Sequence, residues 1–156
     1  MEPADPSRIA KLNADYARAI DDDRLEDWPT FFAESCLYTI TSADNHRQGL
    51  PAGLMYADSK GMLHDRVAAL RKANIYERQT YRHLVGLTAI LGEKDSSPIA
   101  ETPFLVVRIM RDGRMDLFAT GRYLDTLVEE AGAIRFRERI VVCDSSRIDT
   151  LLAIPL

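Results

Sequence analysis

TPFLVVRIMRDGRMDLFATGRYLDTLVEEAGAIRFRERIVVC, residues Thr102–Cys143, decides the fold. It holds three apolar runs, Thr102–Met110, Met115–Val128 and Ala133–Cys143, each long enough for a strand crossing a whole sheet. Arg111-Asp112-Gly113-Arg114 divides the first pair, and Asp-Gly between apolar runs is the strongest short hairpin signal, because both central positions tolerate positive φ. Glu129-Glu130-Ala131-Gly132 marks a second hairpin. Three runs joined this way form an antiparallel meander. Upstream, Tyr81–Leu91 reads as a further single strand, and Gly92–Pro98 as a looser polar connection.

Helices precede the strands. Asp5 followed by Pro6 is an N-cap with proline at the first helical position. Ile9, Leu12, Tyr16 and Ile20 then recur at helical spacing and form one apolar stripe. Asp21-Asp22-Asp23 crowds negative charge at the negative end of the helix dipole, which predicts a solvated acidic turn. Leu25–Phe32, with the only tryptophan, predicts a short second helix or turn anchored by Trp28, Phe31 and Phe32. Cys36–Thr41 alternates as a first strand, and Ser42–Met55 reads as a loop or weak edge strand. Ser59 caps a third helix with Met62, Leu63, Val67 and Leu70 on its apolar side. Helices first and a meander afterwards is the α+β order. The expected fold is one domain over residues 1–156, with N-terminal helices on the inner face of a strongly curved, mostly antiparallel sheet.

Composition excludes several function classes. The apolar fraction of 46% and charged fraction of 28% are those of an ordinary globular chain. A net charge of −4 leaves no basic footprint for nucleic acid or anionic membrane. No apolar run approaches the ~20 residues needed to cross a bilayer. The first residues show no basic stretch followed by an apolar one, so no signal peptide is expected and the cytoplasm is the expected address. Cys36 and Cys143 form no CxxC and read as reduced, buried small hydrophobes.

Candidate chemistry is sparse. His46, His64 and His83 lack the spacing that aims two imidazoles at one metal, and no phosphate loop or nucleophile elbow occurs. Asn74–Leu91, NIYERQTYRHLVGLTAIL, gathers Tyr76, Arg78, Tyr81, Arg82 and His83 before its apolar run. There, His83 with Asp65, and with Tyr38 or Tyr81 nearby, is the candidate acid–base pair of a cavity enzyme. The plainer reading is a structural histidine at the start of a core strand. Arg135, Arg137 and Arg139 alternate, which projects all three from one face of a regular strand, opposite Ile134, Phe136, Glu138, Ile140 and Val142. Asp116, Arg122 and Asp125 stand on the neighbouring run. That pattern predicts an exposed face laced by ion pairs, each contributing under ~1 kcal/mol, or a polar protein–protein surface.

Several stretches together resemble the small (beta) subunits of aromatic-ring-hydroxylating dioxygenases. They are Trp28–Phe32 before the Tyr38 strand, Asp65-Arg66-Val67, Arg82-His83-Leu84, Phe104–Arg108, Gly121-Arg122-Tyr123 with Asp125, and Arg137/Arg139 through Asp144. Asp44-Asn45-His46, Gly49-Leu50, Ala57-Asp58-Ser59, ANIYER (Ala73–Arg78) and Cys143–Leu156 are similar to the terephthalate subgroup of that family. Tyr76 and Arg78 depart from the tryptophan and proline of many members. The resemblance implies a cystatin-like, nuclear-transport-factor-2-like cone. It also implies a non-catalytic structural subunit of an enzyme that cis-dihydroxylates an aromatic carboxylate. A large (alpha) subunit would carry the Rieske cluster and mononuclear iron, with three large and three small chains and a reductase acting on the complex. This chain would then hold no cofactor and no metal and contact neither nucleic acid nor membrane. Its subunit-interface candidates are Tyr81, Arg82, His83, Arg135, Arg137 and Arg139. The competing reading is a stand-alone dehydratase or isomerase of the same cone, using His83 with a carboxylate.

Overall fold

A computed structural model describes residues 5–50, 53–73, 79–145 and 154–156. Helix α1 (Pro6–Asp21) begins where the sequence predicts, with the Ser7 amide donating to the Asp5 carboxylate at 2.9 Å. A 3-10 turn (Leu25–Phe31) leads into β1 (Phe32–Ser42). Ser42 caps a short helix α2 (Ala43–Arg47) through its hydroxyl, and an edge strand β2 spans Met55–Ala57, so the described part of this stretch is more regular than its glycines suggest. Helix α3 (Lys60–Ala73) is capped by Ser59, whose hydroxyl accepts from the Met62 amide at 3.1 Å. Strands β3 (Gln79–Val85), β4 (Ala89–Lys94), β5 (Ser97–Met110), β6 (Met115–Glu130) and β7 (Ala133–Cys143) complete the chain.

The strand order is β2-β1-β7-β6-β5-β3, with β4 also paired to β5. All pairings are antiparallel except β1 with β7, which run parallel and place Ile40 opposite Val141. The meander is therefore as the sequence predicts, while the parallel closure is an addition. The expected single strand Tyr81–Leu91 is two strands, broken where Gly86 lies so close to Pro103 that a Cβ would meet the proline ring at 2.7 Å. The expected loose connection before Pro98 is a tight hairpin instead. Asp95 and Ser96 both take positive φ, which joins β4 to β5 in two residues.

Helix α1 crosses the concave face of the curved sheet and buries Ile9, Leu12, Tyr16 and Ile20, the predicted stripe. Asn13 shares that buried face. Trp28, Phe32 and Tyr38 pack beneath it edge to face, with Trp28–Tyr38 centroids 5.1 Å apart, and Phe136 packs tilted against Phe32. Each such pair adds about 0.5–1.5 kcal/mol beyond area burial. Arg71 of α3 spans two chain segments, with Nε donating to Glu26 at 2.8 Å and Nη1 to Asp23 at 2.9 Å. Both cysteines are buried and free, as expected. None of the described helices is long and apolar enough to cross a membrane.

Candidate functional site

The arginine triplet is split by one residue. Leu127 faces Phe136 and Thr126 faces Glu138, so Arg137 has no partner position on β6. The register against β1 breaks at the same place, where Phe32 pairs with Phe136 and Leu37 with Glu138, leaving Ala33–Cys36 opposite Arg137 alone. A bulge of this kind reverses the inward–outward alternation beyond it. The expectation of one arginine face is corrected accordingly: Phe136 and Arg139 both point into the cone. Arg137 is exposed. Arg135 is half-buried, and its Nη1 donates to the Thr30 carbonyl.

Arg139 is therefore no surface residue, for its side chain has zero exposure. It faces Asp125 across the β6–β7 ladder, with Nε donating to Oδ1 at 2.9 Å and Nη2 to Oδ2 at 2.8 Å. Nη2 also donates to the Asn13 side-chain oxygen. Its guanidinium carbon sits 3.8 Å from the Tyr123 and Phe136 ring centres and 4.4 Å from that of Tyr16. Burial works against the guanidinium charge, but the Asp125 carboxylate outweighs it and holds Arg139 protonated above its ordinary range. The sequence places the right ion-pair partners side by side. It misplaces them on the surface.

The His83 side is also buried. Its Nδ1 lies 2.6 Å from Asp21 Oδ1, and its main-chain amide donates to Oδ2 at 2.8 Å. The His83 and Asp21 side chains are 0% and 3% exposed, so the acidic turn after α1 is not fully solvated as expected. The helix dipole disfavours a carboxylate at that position, and the two histidine donors offset it. The partner acid is Asp21 rather than Asp65, which lines a surface cleft with Trp28, Met55 and Met62. Asp21 and His83 lie 62 residues apart, a separation that carries no sequence signal. His83 Nε2 has no partner among the described residues. Tyr81 points inward beside it, with ring centres 6.2 Å apart. Arg82 alternates outward, its side chain 64% exposed. Tyr76 and Arg78, with the rest of 74–78, lie outside the described residues.

A histidine–carboxylate pair needs room for a substrate to act as a proton shuttle. The cone interior is instead filled by Tyr16, Trp28, Tyr38, Tyr123, Phe136 and Arg139, all under 2% exposed. Ile154 and Leu156 add to this core. His83 lines neither the cleft of about 510 Å³ beside Phe31, Ile134 and Arg135 nor those beside Leu84, Asp65 or Thr80. As to metals, no three His, Cys, Asp or Glu side chains converge among the described residues. Cys36 and Cys143 are core residues, so this donor set does not fit a Rieske cluster or a mononuclear iron.

The outer sheet face leaves apolar surface open, as do Leu54 and Tyr56 near β2 and Leu87 and Leu91 around β4. Register places Arg82, Val107 and Leu117 in one row, Leu84 beside Leu105, and Ile109 beside Met115. A second skip leaves Phe118 without a partner position on β5 and turns Met115 and Leu117 to the outside. Leu84, Met115 and Leu117 are 56%, 69% and 78% exposed. Large contiguous apolar patches are the surfaces that partners cover.

A family model for the ring hydroxylating beta subunit matches residues 15–150. The chain belongs to that family. It is 52% identical over 149 residues to the terephthalate 1,2-dioxygenase terminal oxygenase component subunit beta 2 of a Comamonas species, covering 96% of this chain and 97% of that one. It is 39% identical over 148 residues to the anthranilate 1,2-dioxygenase small subunit of Burkholderia cepacia, covering 95% and 92%. Among solved structures, a beta subunit from Novosphingobium aromaticivorans, assigned to an aromatic-ring-hydroxylating dioxygenase, superposes with a TM-score of 0.88. That pair is 42% identical over 97% of this chain and 96% of the other. The cone with N-terminal helices on a curved, mixed sheet is thus the family fold, as the resemblance implies.

Proposed function

We propose that the chain is the non-catalytic small subunit of a terminal oxygenase that cis-dihydroxylates an aromatic carboxylate, terephthalate first. It assembles with a large subunit, three copies of each, that carries the Rieske cluster and mononuclear iron. A reductase supplies the electrons, and the complex works in the cytoplasm. The uncovered apolar face of β3, β5 and β6 carries this reading, because a family of subunits gives such a face a partner. The 52% identity to a terephthalate dioxygenase subunit supports the substrate. Arg82 stands in that apolar row and is the polar anchor of the proposed docking face, whereas Tyr81, His83 and Arg139 support it from inside. Arg135 and Arg137, at the far end of β7, are assigned to a second, rim contact.

Co-expression with and without the large subunit tests the proposal. The expected result is a stable mixed complex that turns over terephthalate, and a small subunit inactive by itself. Leu117→Glu and Leu84→Glu leave the isolated chain folded and abolish co-purification. Turnover by the isolated chain, or a large subunit fully stable and active without it, overturns the proposal.

A further inference from the structure

The cleft between helix α1 and the β6–β7 hairpin lies outside both the docking face and the packed interior. Its volume is about 510 Å³, within the range of sites that take small organic molecules. Gly132 and Ala133, at the hairpin, leave this space open because neither carries a bulky side chain. Leu12, Phe31 and Ile134 give the cleft apolar walls, and Phe31 in turn rests edge to face on Tyr16, ring centres 5.8 Å apart. Arg8, Lys11 and Arg135 line it with three cations against one lining carboxylate, Asp15, in a chain whose net charge is −4. Asp15 is matched by Lys11 one helical turn away. Arg8 meets Glu129 at 3.4 Å, an exposed pair of the kind that contributes little and reopens readily. Arg135 is half-buried, and its Nη1 donates to the Thr30 main-chain oxygen, while Glu130 stands 4.0 Å from Nε, at the limit of an ion pair. The bond to the main chain holds this guanidinium in place and leaves it donors for an anion.

We infer that this surface cleft is a binding site for a small aromatic carboxylate. Arg135 takes the carboxylate through the paired donors that suit guanidinium to such groups, and Arg8 exchanges Glu129 for it. Leu12, Phe31 and Ile134 cover the ring. An inorganic anion would leave those apolar walls wet, and a neutral ring would leave the cations unused. The inference shares Arg135 with the rim contact proposed above and otherwise stands apart from it. The isolated chain tests it without the large subunit, so its failure and the failure of the oxygenase reading are distinct.

The test titrates the full-length chain with benzoate, with inorganic phosphate and with benzyl alcohol, followed by amide resonances and by Tm. Benzoate is expected to raise Tm and to shift the amides of Phe31 and of residues 132–135 saturably, half-complete by about 10 mM, as suits so small a ligand. Phosphate and benzyl alcohol, each lacking one half of the ligand, bind far more weakly. Arg135→Gln weakens benzoate about tenfold or more, the factor expected for lost charge-assisted hydrogen bonds. Ala133→Leu fills the cleft without touching a charge and abolishes binding. Arg114→Gln, at the opposite hairpin, leaves it unchanged. Absence of saturation overturns the inference, as do shifts centred elsewhere, an equal response to phosphate or benzyl alcohol, or undiminished binding by Arg135→Gln or Ala133→Leu. Should Arg135→Gln fail to fold, the exposed Arg8→Gln takes its place: a severalfold loss supports the site, and no loss overturns it.

Discussion

Arg139 and Asp125 meet through two hydrogen bonds at 2.9 and 2.8 Å, both side chains wholly buried, directly opposite each other on β7 and β6. Breaking a buried pair leaves the survivor charged and unsolvated, at a cost of about 3–5 kcal/mol, whereas replacing both partners by apolar groups costs much less. Asp125→Ala therefore lowers the urea midpoint severely. The double variant Asp125→Leu with Arg139→Met recovers most of the loss. A double-mutant cycle in urea checks both statements, and additive losses contradict them.

Among the described residues four tyrosines, Tyr16, Tyr38, Tyr81 and Tyr123, sit in the core. Burial raises Tyr16 above the ordinary phenol value of 10.0, and Tyr38 and Tyr123 well above it. A group whose native pKa is raised contributes stability that is complete below its unfolded value and lost as pH climbs toward the native one. Stability should therefore fall on the alkaline side of about pH 10, and these phenols should ionise only as the chain unfolds. Phenolate absorbance against pH, compared with far-UV circular dichroism, should show one step that precedes unfolding and one coincident with it.

Burial also pushes the Cys143 thiol up to about 12 from its ordinary 9.0. The thiolate is the nucleophile, so neither cysteine reacts with a disulfide reagent at mildly alkaline pH until denaturant is added. Both of the chain's two cysteines then react. By the same sign, the Cys143 contribution to stability is intact below 9.0 and fades as pH rises toward 12.

Gly121 is fixed by contact. A Cβ there would lie 1.9 Å from the Val142 carbonyl oxygen, a backbone atom of the neighbouring strand. Relief requires β6 and β7 to separate where they flank the core. Gly121→Ala should destabilise by roughly 3 kcal/mol or more, at or beyond the usual range for overpacking. A thermal melt of the variant measures it. A change below about 0.5 kcal/mol contradicts the contact.

The β5–β6 and β6–β7 hairpins and the helix caps were legible because they depend on local chemistry: Asp-Gly, Ala-Gly, Asp5-Pro6 and Ser59 act within a few residues of themselves, whereas the Asp95-Ser96 turn and the break between β3 and β4 carry no such signal. The inner stripe of α1 was legible for the same reason. Bulges were not. Nothing in Arg135–Arg139 distinguishes a regular strand from one that skips at Arg137, so simple alternation predicts the wrong facing for Arg139. Partners far apart in sequence were equally hidden, as with Asp21 for His83 and Tyr16 for Leu156. Family membership was legible from motifs spread along the chain, which local misreadings leave intact.

The parallel joint between β1 and β7 has a consequence in time. Ile40 waits for Val141, roughly a hundred residues downstream, and pairing across such a distance is slow because loop closure precedes any gain from contact. A chain emerging from the ribosome must carry α1, β1 and the Trp28 cluster without their central neighbour until the last strand arrives. Its hydrophobic interior is exposed throughout that interval. Deletions near the C-terminal end of β7 should thus produce aggregation during synthesis, before any subunit is available to assemble.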